Sequence, residues 1–148
     1  MFGFRFRETM RGTYHFLDRP LDERAIEFTI AVEGSGLRNF AKTRTAAIVG
    51  DVELEGFAKK TPLAGTLAFK LDERRLPYEF TFAADDGKSY RFRGQKDFSI
   101  FSVADSISTL PASIYDESGK ERGRAIVRFD LRADTGKLLK SFRLRLAS

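Results

Sequence analysis

The chain has 148 residues, a formal net charge of +5, no cysteine, no tryptophan, one histidine and 15 phenylalanines. That length suits one domain with a real core, and 42% hydrophobic with 32% charged residues is a globular composition rather than a disordered one. Without cysteine there are no disulfides, thiolate zinc sites or thiol nucleophiles, and His15 alone cannot complete a zinc site, so no metal and no cofactor are expected.

Period-two alternation of apolar and polar residues runs through the chain from its start. Phe4, Phe6, Met10, Gly12, Tyr14 and Phe16 share one parity, with Arg5, Arg7 and Arg11 between them. Ile26, Phe28, Ile30 and Val32 form the next set, and Glu33-Gly34-Ser35-Gly36 breaks it. Leu37 to Lys42 is expected to be a short helix. Ala46, Ile48, Val52 and Leu54 follow, then Leu63, Gly65, Leu67, Phe69 and Leu71, then Leu76, Tyr78, Phe80 and Phe82. Asp85-Asp86-Gly87-Lys88 reads as a hairpin with a type I′ turn, because Asp-Gly supplies positive φ. Tyr90, Phe92, Gly94 and Phe98 resume the alternation. Glu117-Ser118-Gly119-Lys120 is a second turn, and Ala125, Val127, Phe129 and Leu131 follow it. Ala133 to Lys140 is expected to be another short helix, and Phe142 to Leu146 a last strand.

Such strands have one dry face and one wet face, the antiparallel pattern. A weak internal repeat supports related hairpins: Gly12 to Phe16 resembles Gly65 to Phe69, Leu21 to Arg24 matches Leu71 to Arg74, and Glu27 to Ala31 resembles Glu79 to Ala83. Gly12, Gly50, Gly65 and Gly94 lie inside alternating runs on the apolar parity, where glycine marks a bend or a close backbone approach. The expected fold is therefore an all-β, antiparallel up-and-down barrel of about eight or nine strands, lipocalin-like in general shape, with one or two short helices. It forms a single domain over residues 1–148, and a β-sandwich is the alternative.

Several function classes fall away. The arginines alternate with aromatics, so the two point to opposite faces, and a strand surface that both stacks bases and holds phosphates is not expected. No nucleic-acid partner is therefore predicted, and the arginines read as the solvated face of strands. No apolar run approaches the roughly 20 residues of a transmembrane helix. The segment Met1 to Arg7 has no signal-peptide h-region, and a cytoplasmic chain is expected. No Gly-x-Ser-x-Gly elbow, Walker loop or Gly-x-Gly-x-x-Gly motif occurs.

Two charged residues break the parity. Glu8 falls with Phe4, Phe6 and Met10, and Lys96 falls with Tyr90, Phe92 and Gly94. Both are expected inside the barrel, paired with each other or holding the polar end of a ligand, since a buried charge is costly unless paired. The ordinary alternative is a bulge that resets the register, or a place at the barrel mouth. Asp105 begins the hydroxyl-rich stretch Asp105 to Pro111, either a polar end of a pocket or a strand entry capped by its own side chains. Inward parity adds Tyr14, Phe28, Phe80, Phe82, Tyr90 and Phe92 as candidate lining residues, unless these aromatics simply fill the core. His15 has outward parity and reads as a surface residue.

Phe6-Arg7-Glu8-Thr9-Met10-Arg11-Gly12, Asp86-Gly87-Lys88-Ser89-Tyr90-Arg91-Phe92-Arg93-Gly94-Gln95-Lys96, Asp105-Ser106-Ile107-Ser108-Thr109-Leu110 and Gly123-Arg124-Ala125 together resemble a small bacterial β-rich module. That module accompanies GMC-type, cholesterol-oxidase-like FAD oxidoreductases and some lipid-acting α/β-hydrolases. The order of motifs agrees over nearly the whole chain, with Ala125 standing where a glycine is usual. The resemblance implies an association with sterol or lipid metabolism beside a separately encoded oxidoreductase or hydrolase, and Glu8 and Lys96 fall inside its motifs.

The leading expectation is a non-catalytic binding module for a lipid, fatty acid or sterol held in the barrel interior. The alternative is a protein-interaction or scaffolding domain with a filled barrel and an exposed apolar patch. An enzyme using Glu8 or Asp105 as a general acid or base is the least supported reading, because lone carboxylates occur in every protein.

Overall fold

A computed structural model of the chain describes residues 4–34, 45–68, 75–97 and 109–129, except for the side chains of some strand-end residues. Eight strands follow in chain order: β1 (Phe4–Phe16), β2 (Arg24–Gly34), β3 (Thr45–Leu54), β4 (Ala58–Ala68), β5 (Arg75–Ala83), β6 (Ser89–Asp97), β7 (Thr109–Tyr115) and β8 (Glu121–Phe129). Each pairs antiparallel with its chain neighbours, and β8 returns to β1 to close the barrel. Met10 lies opposite Phe129, and Phe16 opposite Gly123. This is the up-and-down barrel, and one closed sheet replaces the two packed sheets of a sandwich. No described residue is helical. The expected helices at residues 37–42 and 133–140 and the expected strand at 142–146 lie outside the described residues.

Parity governs the packing. In β2, Ile26, Phe28, Ile30 and Val32 are buried, while Ala25 and Glu27 are exposed. In β3, Ala46, Ile48, Val52 and Leu54 are buried, and in β5 so are Tyr78, Phe80 and Phe82. One interior results, with every strand contributing alternate side chains to it.

The glycines explain how the wall curls. A Cβ built on Gly65 would stand 1.8 Å from the Glu79 carbonyl oxygen, and one on Gly12 would stand 1.8 Å from that of Ile126. In both cases the obstacle is the backbone of the adjacent strand, so only a residue without a side chain lets the strands coil this tightly.

Three local features differ from the expected pattern. The sequence marks β7 only as the end of a hydroxyl-rich stretch, yet Leu110, Ala112 and Ile114 alternate inward with Pro111 and Ser113 between them. The alternation slips in β4: Lys59 and Lys60 are both exposed, Lys60 takes φ 30°, and the β3–β4 register shifts between Val52 and Leu54. That bulge moves the buried parity from Ala58 to Leu63. The Asp85–Gly87 hairpin is not type I′. Only Gly87 has positive φ (81°), with Gly87 N–H donating to Ala84 O at 3.0 Å and Ala84 N–H to Lys88 O at 2.9 Å. That is a type I turn followed by a left-handed glycine, the three-residue hairpin loop. The turn at Asp116–Lys120 repeats it, with Gly119 at φ 85°.

Candidate functional site

The turns 17–23, 55–57, 84–88 and 116–120 join strands at one end of the barrel, called here the turn end. The strand ends that lead into residues 35–44, 69–74 and 98–108 lie at the other. The interior changes character between them.

At the turn end the lumen is closed by rings. Phe57 is the last residue of the β3–β4 turn, where Gly56 at φ 76° lets Phe57 N–H reach Leu54 O at 2.9 Å. Its carbonyl accepts the Asp85 N–H at 2.9 Å, which ties this turn to the β5–β6 turn. The Phe57 ring stands edge-on to Phe16 at 5.0 Å and to Tyr90 at 4.7 Å. Phe82 stacks with Tyr90 at 6.1 Å, and Tyr14 meets Phe16 edge-on at 5.6 Å. Both tyrosine hydroxyls are used locally. Tyr14 donates to Glu55 O at 2.5 Å, and Tyr90 donates to Asp86 Oδ2 at 2.7 Å. Burial raises the Tyr14 pKa, partly offset by the nearby Arg24 guanidinium. Burial and the Asp86 carboxylate push Tyr90 up to about 12.

One level further in, Phe80 and Phe92 stack at 4.6 Å, and Phe28 stands edge-on to each at 5.3 Å. Strands β2 and β6 lie on opposite sides of an eight-strand barrel, so the Phe28–Phe92 contact crosses the lumen. These rings pack on one another at the level where they were expected to surround a guest.

Above them sits the one buried charged side chain among the described residues, Glu8, at 2% exposure. Tyr78 donates a hydrogen bond to its Oε1 at 2.7 Å. Strands β1 and β5 are also diametrically opposed, so this bond too spans the lumen. Burial and the Glu8 carboxylate hold the Tyr78 hydroxyl well above its usual pKa, which keeps it a donor. Among the described residues, the inward positions beside this pair include small and aliphatic ones: Ala46 on β3, Leu67 on β4, Gly94 on β6, and Leu110 and Ala112 on β7.

The expected site residues are therefore distributed over levels. Glu8 points inward as its parity required. Tyr14, Phe82 and Tyr90 belong to the plug at the turn end, and Phe28, Phe80 and Phe92 to the packed middle. The backbone of Lys96 pairs with Leu76 on β5, its side chain is outside the described part, and Asp105 lies outside the described residues. Tyr78 and Phe57 were not among the expected site residues. Tyr78 carried a signal, being the polar-tipped residue on the inward parity of its run, whereas Phe57 sits in a turn where alternation says nothing.

The outer wall carries two open grooves. One, of about 360 Å³, runs over β5 to β8 beside Pro77, Glu79, Arg93, Pro111, Ser113 and Arg124. The other, of about 490 Å³, crosses β1 to β4 beside Arg11, Glu27, Glu53, Glu55 and Lys59. Among the described residues no cluster of His, Asp and Glu is placed to hold a metal ion.

No family model and no curated protein matches the sequence. Among solved structures, the chain is similar to a redesigned β-barrel, mFAP1, bound to DFHBI, with a TM-score of 0.49 and 12% identity over 82% of this chain and 92% of that one. It is also similar to a de novo designed fluorescence-activating β-barrel, with a TM-score of 0.45 and 11% identity over 84% of this chain and 94% of that one.

Proposed function

We propose that the barrel is a binding module for a hydrophobic small molecule, a lipid, fatty acid or sterol, seated at the end opposite the turns. The observation that carries this reading is the Glu8–Tyr78 hydrogen bond across the lumen. A carboxylate among apolar side chains is costly to bury and adds nothing to packing that a leucine would not supply. It sits where the interior turns from interlocked rings to small and aliphatic side chains. A carboxylate and a phenol facing apolar side chains suit an amphiphile with one polar group, since small-molecule sites combine an apolar lining with a few polar groups. The resemblance of the Glu8 and Lys96 motifs to the module beside GMC-type oxidoreductases and lipid-acting hydrolases supports lipid or sterol metabolism as the setting, with such an enzyme as partner in the cytoplasm.

Organic extraction of the purified chain followed by mass spectrometry tests this. A co-purifying lipid, lost in Glu8→Gln and Lys96→Met variants, is the expected result. No extracted lipid, and no rise in melting temperature on adding sterols or fatty acids, would remove the proposal. A second reading, a filled barrel acting as a scaffold, is favoured by the Phe28–Phe92 contact across the lumen. It expects no ligand and unchanged melting in every case.

A further inference from the structure

Barrel closure brings together arginines that are far apart in the chain. On β1, Arg7 and Arg11 face outward; on β8, Arg122, Arg124 and Arg128; on β6, Arg91 and Arg93. The register aligns them in rows. Arg93 lies opposite Ser113, Ser113 opposite Arg124, and Arg124 opposite His15. Two residues along, Pro111, Ile126 and Thr13 form an uncharged row, with Ile126 at 50% exposure. Two further along, Thr109, Arg128 and Arg11 form a second basic row. With strands about 4.8 Å apart and about 3.4 Å per residue, the patch measures roughly 14 Å each way.

Acids border this face and enter it: Glu121 accepts a hydrogen bond from Ser113 within the first basic row, and Asp116 lies 4.0 Å from Arg122. Glu27 on β2 pairs with Arg11 at 2.9 Å, Glu79 on β5 with Arg91 at 3.3 Å and Arg93 at 3.7 Å, and Glu121 at the start of β8 with Arg124 at 3.2 Å. The Glu27 and Glu79 pairs are exposed, of the kind that contributes little and exchanges readily, whereas Glu121 is half-buried. Beyond β1 the sign changes, with Glu27 on β2 and Asp51 and Glu53 on β3 facing outward.

We infer that the β6–β7–β8–β1 face docks an acidic protein surface, one that presents carboxylates around an apolar centre. The described outward cations here are all arginines, while Lys59, Lys60, Lys88 and Lys120 lie on β4 and in turns. Guanidinium forks bind carboxylates bidentately, and protein interfaces favour arginine over lysine. The exposed Ile126 beside Pro111 supplies an apolar centre inside an arginine rim, the anatomy of a protein interface. A phosphate backbone would leave Ile126 without a partner. The described rings on this face, Tyr115 and His15, are both half-buried, so they are no platform for stacking bases. The inference does not depend on what the lumen holds.

Fluorescence anisotropy of a labelled Glu/Asp-rich peptide with central leucines, titrated with the full chain, is the test. Arg124→Lys and Ile126→Ser both preserve net charge, so diffuse attraction would not notice them. Each is expected to weaken binding by about fivefold or more, through loss of the bidentate contact or of the apolar centre. Glu53→Gln on the opposite wall is expected to change it less than twofold. Variants that bind like the parent would overturn the inference. So would duplex DNA or phosphatidylserine vesicles binding more tightly than the peptide at equal salt.

Discussion

At the scale of single residues, Glu8 is the one buried charged side chain among the described residues, and Tyr78 donates a hydrogen bond to it from the opposite wall. Removing that hydroxyl leaves Glu8 Oε1 without the 2.7 Å bond that crosses the lumen. Tyr78→Phe is therefore expected to cost about 1–3 kcal/mol, read from the urea midpoint. Glu8→Gln keeps an acceptor of the same shape and is expected to cost less. Alkaline pH probes the same contact. The pKa values of Tyr14, Tyr78 and Tyr90 are all raised from 10.0 in the folded chain. Above pH 10 the unfolded chain releases phenolic protons that the folded chain keeps. The stabilisation is complete below pH 10 and is lost as pH rises through 12, where Tyr90 titrates. Stability should thus fall with pH in this range, and fall less steeply in Tyr78→Phe. An equal slope in the variant would show that Tyr78 does not contribute. Glu8 itself is legible in the sequence, because an acid on an apolar parity must either point inward or mark a break in the register. Its partner is not, because nothing in a linear pattern says which strand stands opposite.

At the scale of elements, alternation identified strands in uninterrupted runs such as Ile26 to Val32 and Tyr78 to Phe82. It lost β7, where Pro111 and Ser113 separate short apolar residues and the hydroxyls of Ser106, Ser108 and Thr109 suggested a polar stretch. It also missed the bulge at Lys60, since a single added residue leaves no compositional mark. Asp-Gly announced a hairpin correctly but not its geometry, because a type I turn followed by a left-handed glycine uses the same dipeptide. Two kinds of glycine can be separated by mutation. Gly119 sits at φ 85° with nothing near its missing Cβ, so Gly119→Ala is expected to cost about 1–2 kcal/mol from backbone conformation alone. Gly65 has no positive φ but meets the Glu79 carbonyl, so Gly65→Ala is expected to cost about 1–3 kcal/mol from overpacking. Thermal or urea unfolding checks both. A neutral Gly65→Ala would mean that the wall relaxes freely at that point.

At the scale of the whole molecule, closure by β1 and β8 joins residues more than a hundred positions apart, such as Gly12 and Val127. A topology completed by its most distant pair has to form large loops before it gains their contacts. Stopped-flow circular dichroism is expected to show folding in about milliseconds to seconds rather than microseconds. A microsecond phase carrying the full amplitude would contradict that.

The amino-acid order by itself determined the all-β class, the antiparallel alternation, the inward placement of most of the described aromatics and the anomaly at Glu8. These are consequences of a period that each strand obeys on its own. The tertiary structure alone decided that β8 closes on β1, that Tyr78 reaches Glu8 from the opposite wall, that Phe28 and Phe92 meet in the middle, and that arginines from the first and last strands share one face. Those facts depend on register and curvature among residues far apart in the chain. Parity tells a side chain which way to point, and only the closed sheet tells it what it will meet there.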